Sequence, residues 1–149
     1  MVTTIGTERE LLDALNNLIA LDFDAIDAYQ AAINRLKNTT DATQLRQFMG
    51  DHERHTQELS AIVRDLGGTP TMQGDMKSLL TQGKVVLGNL MGDSGILKAM
   101  KTNEDDTNTA YERAVSRDDL TPHLREVLQR NLGDERRHRS WIETRLASM

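Results

Sequence analysis

The chain has 149 residues, of which 38% are hydrophobic and only 3% aromatic, and it carries a formal net charge of −5. This length fits a single domain over residues 1–149 that buries a core without covalent cross-links. The absence of cysteine excludes disulfides, thiolate metal sites and iron–sulfur clusters. The acidic balance argues against a nucleic-acid partner, and no stretch approaches the ~20 apolar residues of a membrane span. We therefore expect a soluble cytoplasmic protein without a nucleic-acid or membrane partner.

The spacing of apolar residues predicts four long amphipathic helices. In four stretches the apolar positions alternate in steps of three and four, which is the heptad pattern of helices that pack side by side. The predicted helices span residues 7–37, 41–66, 93–117 and 121–147. The residues expected to cap or open them are Thr7 with Glu10, Asp41 with Gln44, and Thr121 with Pro122. The pattern predicts an all-α four-helix bundle.

The connection between the second and third helices is predicted to be long. This crossover spans residues 67–92, where Gly67 and Gly68 end the second helix and Pro70 follows closely. Within it we expect a short extra helix over about residues 75–91. A connection of this length can cross a bundle, whereas a tight helical hairpin needs only a few residues.

Ionisable residues occupy several positions of the helix seams where apolar residues are expected. They are Asp22, His52, His55, Glu104, Glu135 and His138. Asp24 and Asp27 lie beside the seam and are expected to be solvated. An unpaired buried charge costs several kcal/mol, so the six side chains need mutual pairing or a cation. Three carboxylates and three imidazoles suit a divalent first-row metal; the alternative is a metal-free layer of carboxylate–imidazole hydrogen bonds that fixes helix register.

An internal repeat relates the two halves of the chain. Asp22 precedes Tyr29 by seven residues, and Glu104 precedes Tyr111 by seven residues. Segments 51–55 and 134–138 both begin with Asp and end with His. The repeat indicates two similar helical hairpins. The two tyrosines are predicted either to donate hydrogen bonds to the site carboxylates or to be amphipathic core residues beside a polar layer.

The motifs resemble the ferritin-like di-iron carboxylate superfamily, and within it a bacterial family of small four-helix-bundle proteins of unknown role. The resemblance is carried by segments 51–59, 66–70 and 104–111 and extends over about residues 8–145. It implies terminal carboxylates at Asp22 and Glu104. It implies Glu-x-x-His pairs at His52 with His55 and at Glu135 with His138. His52 departs from the pattern, because the superfamily has there a Glu that helps to bridge two metals.

The resemblance implies a metal-binding protein with iron-dependent oxidase or peroxidase chemistry or a role in stress-related metal handling. Iron as one ion or two is expected, with zinc and manganese as alternatives. Redox chemistry would need an external electron donor, and a homodimer is the expected assembly if the chain is not monomeric. The alternative function is a non-enzymatic, stress-associated interaction protein with a structural metal or a buried salt-bridge layer. A mononuclear metal hydrolase is a third reading.

Overall fold

The computed structural model describes residues 3–73 and 92–149, which contain four long helices and no strand. They are α1 (Leu11–Arg35), α2 (Thr39–Asp65), α3 (Gly92–Val115) and α4 (Pro122–Ala147). α1 packs along α2 and α3 along α4, and the two hairpins meet mainly through α1 and α3. The predicted all-α four-helix bundle of two hairpins is confirmed. The extra helix predicted over 75–91, with most of the crossover 67–92, lies outside the described residues.

The start of α4 follows the sequence prediction, and the start of α2 does not. Thr121 accepts a hydrogen bond from the backbone N–H three residues later, and Pro122 is the first helical residue. At α2 the cap is Asn38, whose side chain accepts from the backbone N–H of Asp41 at 3.0 Å. The prediction that Asp41 caps this helix was wrong. Its carboxylate instead accepts from Arg145 on α4 at 2.9–3.0 Å.

The predicted capping box at the start of α1 was also wrong. The helix begins at Leu11, and Glu10 occupies the cap position without a side-chain hydrogen bond. Thr7 lies in a preceding turn and donates its hydroxyl to a carbonyl three residues earlier. Arg117 donates to the carbonyl of Glu8 and so holds this segment outside the helix. The other helix ends lie within two residues of the predicted ones, a difference that fraying ordinarily produces.

A layer of buried polar side chains divides the apolar core halfway along the helices. On one side lies a cluster that includes Leu59 and Leu128, and on the other a cluster that includes Phe48 and Met100. Each fully buried large apolar side chain contributes roughly 1.5–3 kcal/mol to the stability of the fold. The burial of the two apolar clusters therefore stabilises the helix packing that encloses the polar layer. Within the described part of the chain, no helix combines the length and hydropathy needed to cross a membrane.

Two aspartates of α1 differ in burial in a way that the heptad pattern did not predict. Asp27 is exposed, as expected, whereas Asp24 is fully buried, so its predicted solvation was wrong. α1 packs against both α2 and α3. Its buried stripe is therefore broader than the two positions per heptad that a simple seam assumes.

Candidate metal centre

Six ionisable side chains meet in the polar layer, and all of them are fully buried. They are Asp22 on α1, His52 and His55 on α2, Glu104 on α3, and Glu135 and His138 on α4. The structure therefore brings together all six residues singled out from the sequence. They form two overlapping groups of four, and in each group one nitrogen or oxygen atom from every residue lies within 4.8 Å of the other three. We call the groups half-site A and half-site B.

Half-site A combines Asp22, His52, His55 and Glu135. Oδ1 of Asp22 lies 2.7 Å from Nδ1 of His52 and 3.2 Å from Nδ1 of His55. Oε1 of Glu135 lies 3.4 Å from each of the same two nitrogens. Two imidazole nitrogens and two carboxylate oxygens from three helices thus surround one small volume.

Half-site B combines His52, Glu104, Glu135 and His138. Oε1 of Glu104 lies 3.5 Å from Nε2 of His52 and 3.4 Å from Nδ1 of His138. Oε2 of Glu135 lies 3.6 Å from the same nitrogen of His138. Half-site B therefore has the same donor types as half-site A. It uses the other nitrogen of His52 and the other oxygen of Glu135.

The spacing of these atoms fits ligands around an ion better than hydrogen-bonded pairs. N–H···O bonds span about 2.7–3.2 Å, whereas the distances from the imidazole nitrogens to the carboxylate oxygens of Glu104 and Glu135 are 3.4–3.6 Å. Two atoms each about 2.0–2.2 Å from one tetrahedral ion are roughly 3.3–3.6 Å apart. Nε2 of His52, Oε1 of Glu135 and Nδ1 of His138 are buried without a hydrogen-bond partner among the described residues. Because buried polar atoms ordinarily have a partner, these residues fit a metal ion.

Each tyrosine of the repeat donates a hydrogen bond to the site carboxylate of the opposite hairpin. The hydroxyl of Tyr29 on α1 donates to Oε1 of Glu104 on α3. The hydroxyl of Tyr111 on α3 donates to Oδ2 of Asp22 on α1 at 2.6 Å. Burial, followed by these carboxylates, raises the pKa of both hydroxyls well above the ordinary value, so both remain donors. The sequence placed the tyrosines on the face of the carboxylates but did not identify the crossed pairing.

Two aspartates that the sequence analysis missed hold the outer nitrogens of two site histidines. Nε2 of His138 lies 2.8 Å from Oδ2 of Asp51, and Nε2 of His55 lies 2.9 Å from Oδ2 of Asp134. An ionised carboxylate only accepts, so the ring proton is held on Nε2 and a neutral ring presents Nδ1 to the half-sites. The repeat carried the signal for this role, because both aspartates open the matching segments 51–55 and 134–138.

An arginine contacts each of these aspartates from the solvent side. Arg54 donates to Asp134, and Arg137 donates to Asp51, so both contacts cross between α2 and α4. The arginine side chains are 43% and 54% exposed, whereas those of the aspartates are 15% and 18% exposed. Burial raises the pKa of both aspartates, but the paired imidazole and guanidinium outweigh it and lower that pKa. Two equivalent series of Arg–Asp–His hydrogen bonds thus connect the surface with the centre.

Two residues of α3 contact Glu104 and Glu135, one at their carboxylates and one at their backbone carbonyls. The hydroxyl of Thr107 lies 3.2 Å from Oε2 of Glu104 and 3.1 Å from Oε2 of Glu135. The amide of Asn108 donates to the backbone carbonyls of the same two glutamates, at 2.7 and 3.1 Å. Both residues are buried. They join α3 to α4 at the level of the centre, and the sequence analysis assigned neither of them a role in the site.

The buried carboxylates are held ionised by the histidines around them. Burial alone would raise the pKa of Asp22, but the attraction of His55 and the hydrogen bonds to both α2 imidazoles lower it to about 2. Burial also raises the pKa of Glu104, and contacts with His138 and His52 outweigh it and hold that pKa far below its usual range. Both groups are therefore anionic at neutral pH.

The imidazole pKa values shift in the opposite direction. Burial lowers the pKa of His52, but the attraction of Glu135 and the hydrogen bond to Asp22 raise it to about 9. Burial likewise opposes the charge on His138, whose pKa is raised to about 11 by its hydrogen bond to Asp51 and by nearby glutamates. Without an ion, the layer thus holds protonated imidazoles against ionised carboxylates. A bound cation would replace these protons.

A surface cleft of about 380 Å³ reaches the neighbourhood of half-site B. Its lining residues are Gln44, Gln47, Phe48, Asp51, Arg137 and Trp141. Two of them contact His138: Asp51 by the hydrogen bond above, and Phe48 with ring centroids 4.3 Å apart. The outer edge of this histidine is therefore separated from the cleft by a single layer of side chains.

Comparison with known proteins places the chain in a family. No curated protein and no solved structure matches it. The family described as a domain of unknown function, DUF2383, matches residues 10–118, well over half of the chain. The match spans α1, α2 and α3 and ends before α4, which carries Glu135 and His138. The chain therefore belongs to the DUF2383 family.

Proposed function

We propose that this protein is a cytoplasmic, ferritin-like metal-binding protein that holds iron in its polar layer. The proposed ligands are Asp22, His52, His55, Glu104, Glu135 and His138. One observation carries the proposal: Nε2 of His52, Oε1 of Glu135 and Nδ1 of His138 are buried and have no hydrogen-bond partner in the part of the chain that the structure describes. Leaving such atoms unsatisfied is destabilising, and metal bound in the half-sites would supply the missing partners.

The donor set supports a divalent first-row metal, and we propose iron. Imidazole suits iron and zinc, and carboxylate suits manganese. The chain has no cysteine and so offers no thiolate ligand. An equal number of carboxylates and imidazoles, with tyrosine hydroxyls donating to two of the carboxylates, fits iron well. Bound iron would supply reactivity toward dioxygen or peroxide, with electrons from an external donor. The protein would then act as an oxidase, a peroxidase or an iron-handling protein.

The residues around the ligands support this function in two ways. Asp51 and Asp134 orient the imidazoles of His138 and His55, so that their Nδ1 atoms face the half-sites. The cleft beside Phe48 and Asp51 brings the surface closest to His138 and offers a small oxidant a short approach. The full burial of the six ligands excludes bulk water from the centre.

A second candidate function is structural, and the direct hydrogen bonds of Asp22 favour it. This carboxylate lies 2.7 Å from His52 and 3.2 Å from His55, within ordinary hydrogen-bond range. A metal-free layer of such pairs would fix the register of the helices and serve a non-enzymatic interaction protein. This reading leaves the three partnerless atoms of the layer unexplained.

Metal analysis separates the two candidates. The full chain, stripped with a chelator and then loaded with Fe²⁺ without oxygen, is expected to retain iron after desalting, as measured by mass spectrometry of the elements. Glu135→Ala is expected to lower the iron content, because Glu135 belongs to both half-sites. Asp27→Ala is the control, since this carboxylate is exposed and belongs to neither half-site. No retained iron, zinc or manganese in the wild type would overturn the metal proposal, and equal loss in both variants would show that the ligand set is wrong.

Oxygen chemistry needs a separate measurement. Iron-loaded protein is expected to consume dioxygen or peroxide faster than the same concentration of free Fe²⁺, with uptake followed by an electrode. Protein that keeps iron but consumes neither oxidant would favour the structural role over the oxidase role.

A further inference from the structure

We propose that His52 is a bridging ligand that joins two metal ions, one in half-site A and one in half-site B. The inference rests on the proposed function, since it concerns how many ions the same layer holds and how they are connected. His52 is the position at which the superfamily that this chain resembles has a glutamate.

The two ring nitrogens of His52 face different half-sites. Nδ1 lies 2.7 Å from Oδ1 of Asp22 and 3.4 Å from Oε1 of Glu135, which are half-site A atoms. Nε2 lies 3.5 Å from Oε1 of Glu104, a half-site B atom, and has no hydrogen-bond partner within residues 3–73 and 92–149. The lone pairs of an imidazole point away from each other across the ring, so both nitrogens cannot bind the same ion. A single ion in half-site A would therefore leave Nε2 buried and unsatisfied.

Glu135 divides its two oxygens in the same way. Oε1 lies 3.4 Å from Nδ1 of His55 in half-site A, and Oε2 lies 3.6 Å from Nδ1 of His138 in half-site B. Each half-site also has one carboxylate and one histidine of its own: Asp22 with His55, and Glu104 with His138. Two shared and two private ligands per half-site form a complete set of four donors for each ion.

The private histidines differ from His52 in their outer nitrogen. Nε2 of His55 and Nε2 of His138 are each held by an aspartate, so these rings offer only Nδ1 to a metal. The aspartate beside His52 is Asp22, itself a residue of half-site A, and both nitrogens of His52 lie inside the layer. Bridging requires both ring protons of His52 to leave, and they pass to solvent as the two ions bind. The structure thus contains two imidazoles whose outer nitrogen is held by an aspartate outside the half-sites, and one imidazole, His52, whose two nitrogens both face half-site atoms.

Copper provides a probe for the bridge, because two Cu²⁺ ions joined by an imidazolate couple antiferromagnetically and lose their paramagnetic resonance signal. The full chain, stripped of metal, is titrated with Cu²⁺ in a His123→Gln background that removes the exposed histidine. We expect two equivalents to bind, and the integrated signal per copper to fall at least twofold between one and two equivalents. His55→Gln is expected to bind a single copper with a full signal, because only half-site A loses a private ligand.

Three results would overturn the bridge while leaving the metal proposal intact. They are one copper per chain in the wild type, two coppers with an undiminished signal, and two coupled coppers in a His52→Gln variant whose helical circular dichroism is unchanged. We expect His52→Gln to bind its second ion at least tenfold more weakly. Loss of a residue that only orients a ligand lowers metal affinity ~10–100-fold, and loss of the ligand itself should cost no less. Failure of the wild type to bind any metal would instead overturn the proposed function itself.

Discussion

At the scale of single residues, the aspartates behind the histidines determine which nitrogen faces the centre. Asp51 holds Nε2 of His138, and Asp134 holds Nε2 of His55. Each aspartate in turn accepts a hydrogen bond from an arginine of the opposite hairpin: Asp51 from Arg137, and Asp134 from Arg54. The ring orientation of these two proposed ligands is therefore set in the metal-free protein, which would lower the reorganisation that metal binding requires.

Asp51→Asn is expected to weaken metal binding about 10–100-fold with little change in the fold, because the amide can no longer hold the proton on Nε2 of His138 as a charged acceptor does. Metal titration followed by calorimetry measures the change. Asp105→Asn is the matched control, since the side chain of this α3 aspartate is 47% exposed and pairs with Lys101 and Arg139. Unchanged affinity in Asp51→Asn would show that the hydrogen bond to His138 does not orient a ligand.

The metal-free protein is expected to be most stable between about pH 4 and 6.5. The pKa of His52 is raised from 6.5 to about 9, so its stabilising contribution is complete below pH 6.5 and is lost as the pH rises through 9. The pKa of Asp22 is lowered from 3.8 to about 2, so its contribution is complete above pH 3.8 and is lost as the pH falls through 2. Thermal unfolding of chelator-treated protein across this range tests the expectation. A melting temperature that stays flat from pH 6.5 to 9 would mean that His52 is neutral in the folded layer.

The residues of the centre could be predicted from the sequence, whereas their partners could not. Charged residues at positions such as Asp22 and Glu104 interrupt apolar heptads, and this pattern alone places them in the core. Which helix faces them depends on how the hairpins dock, so the pairing of Tyr29 with Glu104 was not visible. The contact of Asp51 with His138 was not predicted, because Asp51 lies off the seam and only its carboxylate reaches the polar layer.

At the scale of elements, α2 and α4 carry matching glycines just before the aspartates of the repeat. Gly50 precedes Asp51, and Gly133 precedes Asp134. A Cβ built at either glycine meets no atom within 4 Å, and both positions are exposed. Packing therefore does not account for these glycines, which lower the stability of a helix interior.

Gly50→Ala and Gly133→Ala are each expected to raise the free energy of unfolding by about 0.5–1 kcal/mol, because alanine loses less backbone entropy in a helix. Chemical denaturation measures the gain. Gly6→Ala provides the contrast: its φ is +100°, and a Cβ there would lie 2.5 Å from Cβ of Arg113, so this change should destabilise. A loss of stability in the two helical variants would reveal a backbone requirement that the static structure does not show.

The helices themselves were predictable to within two residues, except at the start of α1. Periodicity records which face of a helix is buried, and this was enough to place all four. The segment before α1 is held out of the helix by Arg117, which is more than a hundred residues away in the sequence. No local pattern contains a contact of this range, so the capping box at Thr7 was a reasonable local prediction that tertiary structure overrode.

At the scale of the whole molecule, an ion that binds only the folded bundle must stabilise it. At a free metal concentration 100 times Kd, the free energy of unfolding is expected to rise by about 2.7 kcal/mol. This corresponds to an increase of about 5–10 °C in melting temperature for a chain of this length. Scanning calorimetry with and without Zn²⁺ tests it, with Mg²⁺ as a control because that ion prefers an all-oxygen octahedral site. An equal shift in Glu135→Ala would place the binding elsewhere.

The crossed hydrogen bonds of the tyrosines also bear on how the bundle folds. Tyr29 and Glu104 are 75 residues apart in the chain, and Tyr111 and Asp22 are 89 apart. Contacts of such long range form late, after the local helices and hairpins. The carboxylate that accepts from each tyrosine lies in the opposite hairpin, so these hydrogen bonds cannot form within one hairpin. Metal uptake should therefore follow the final docking of the hairpins, and its rate would report the last step of folding rather than the first.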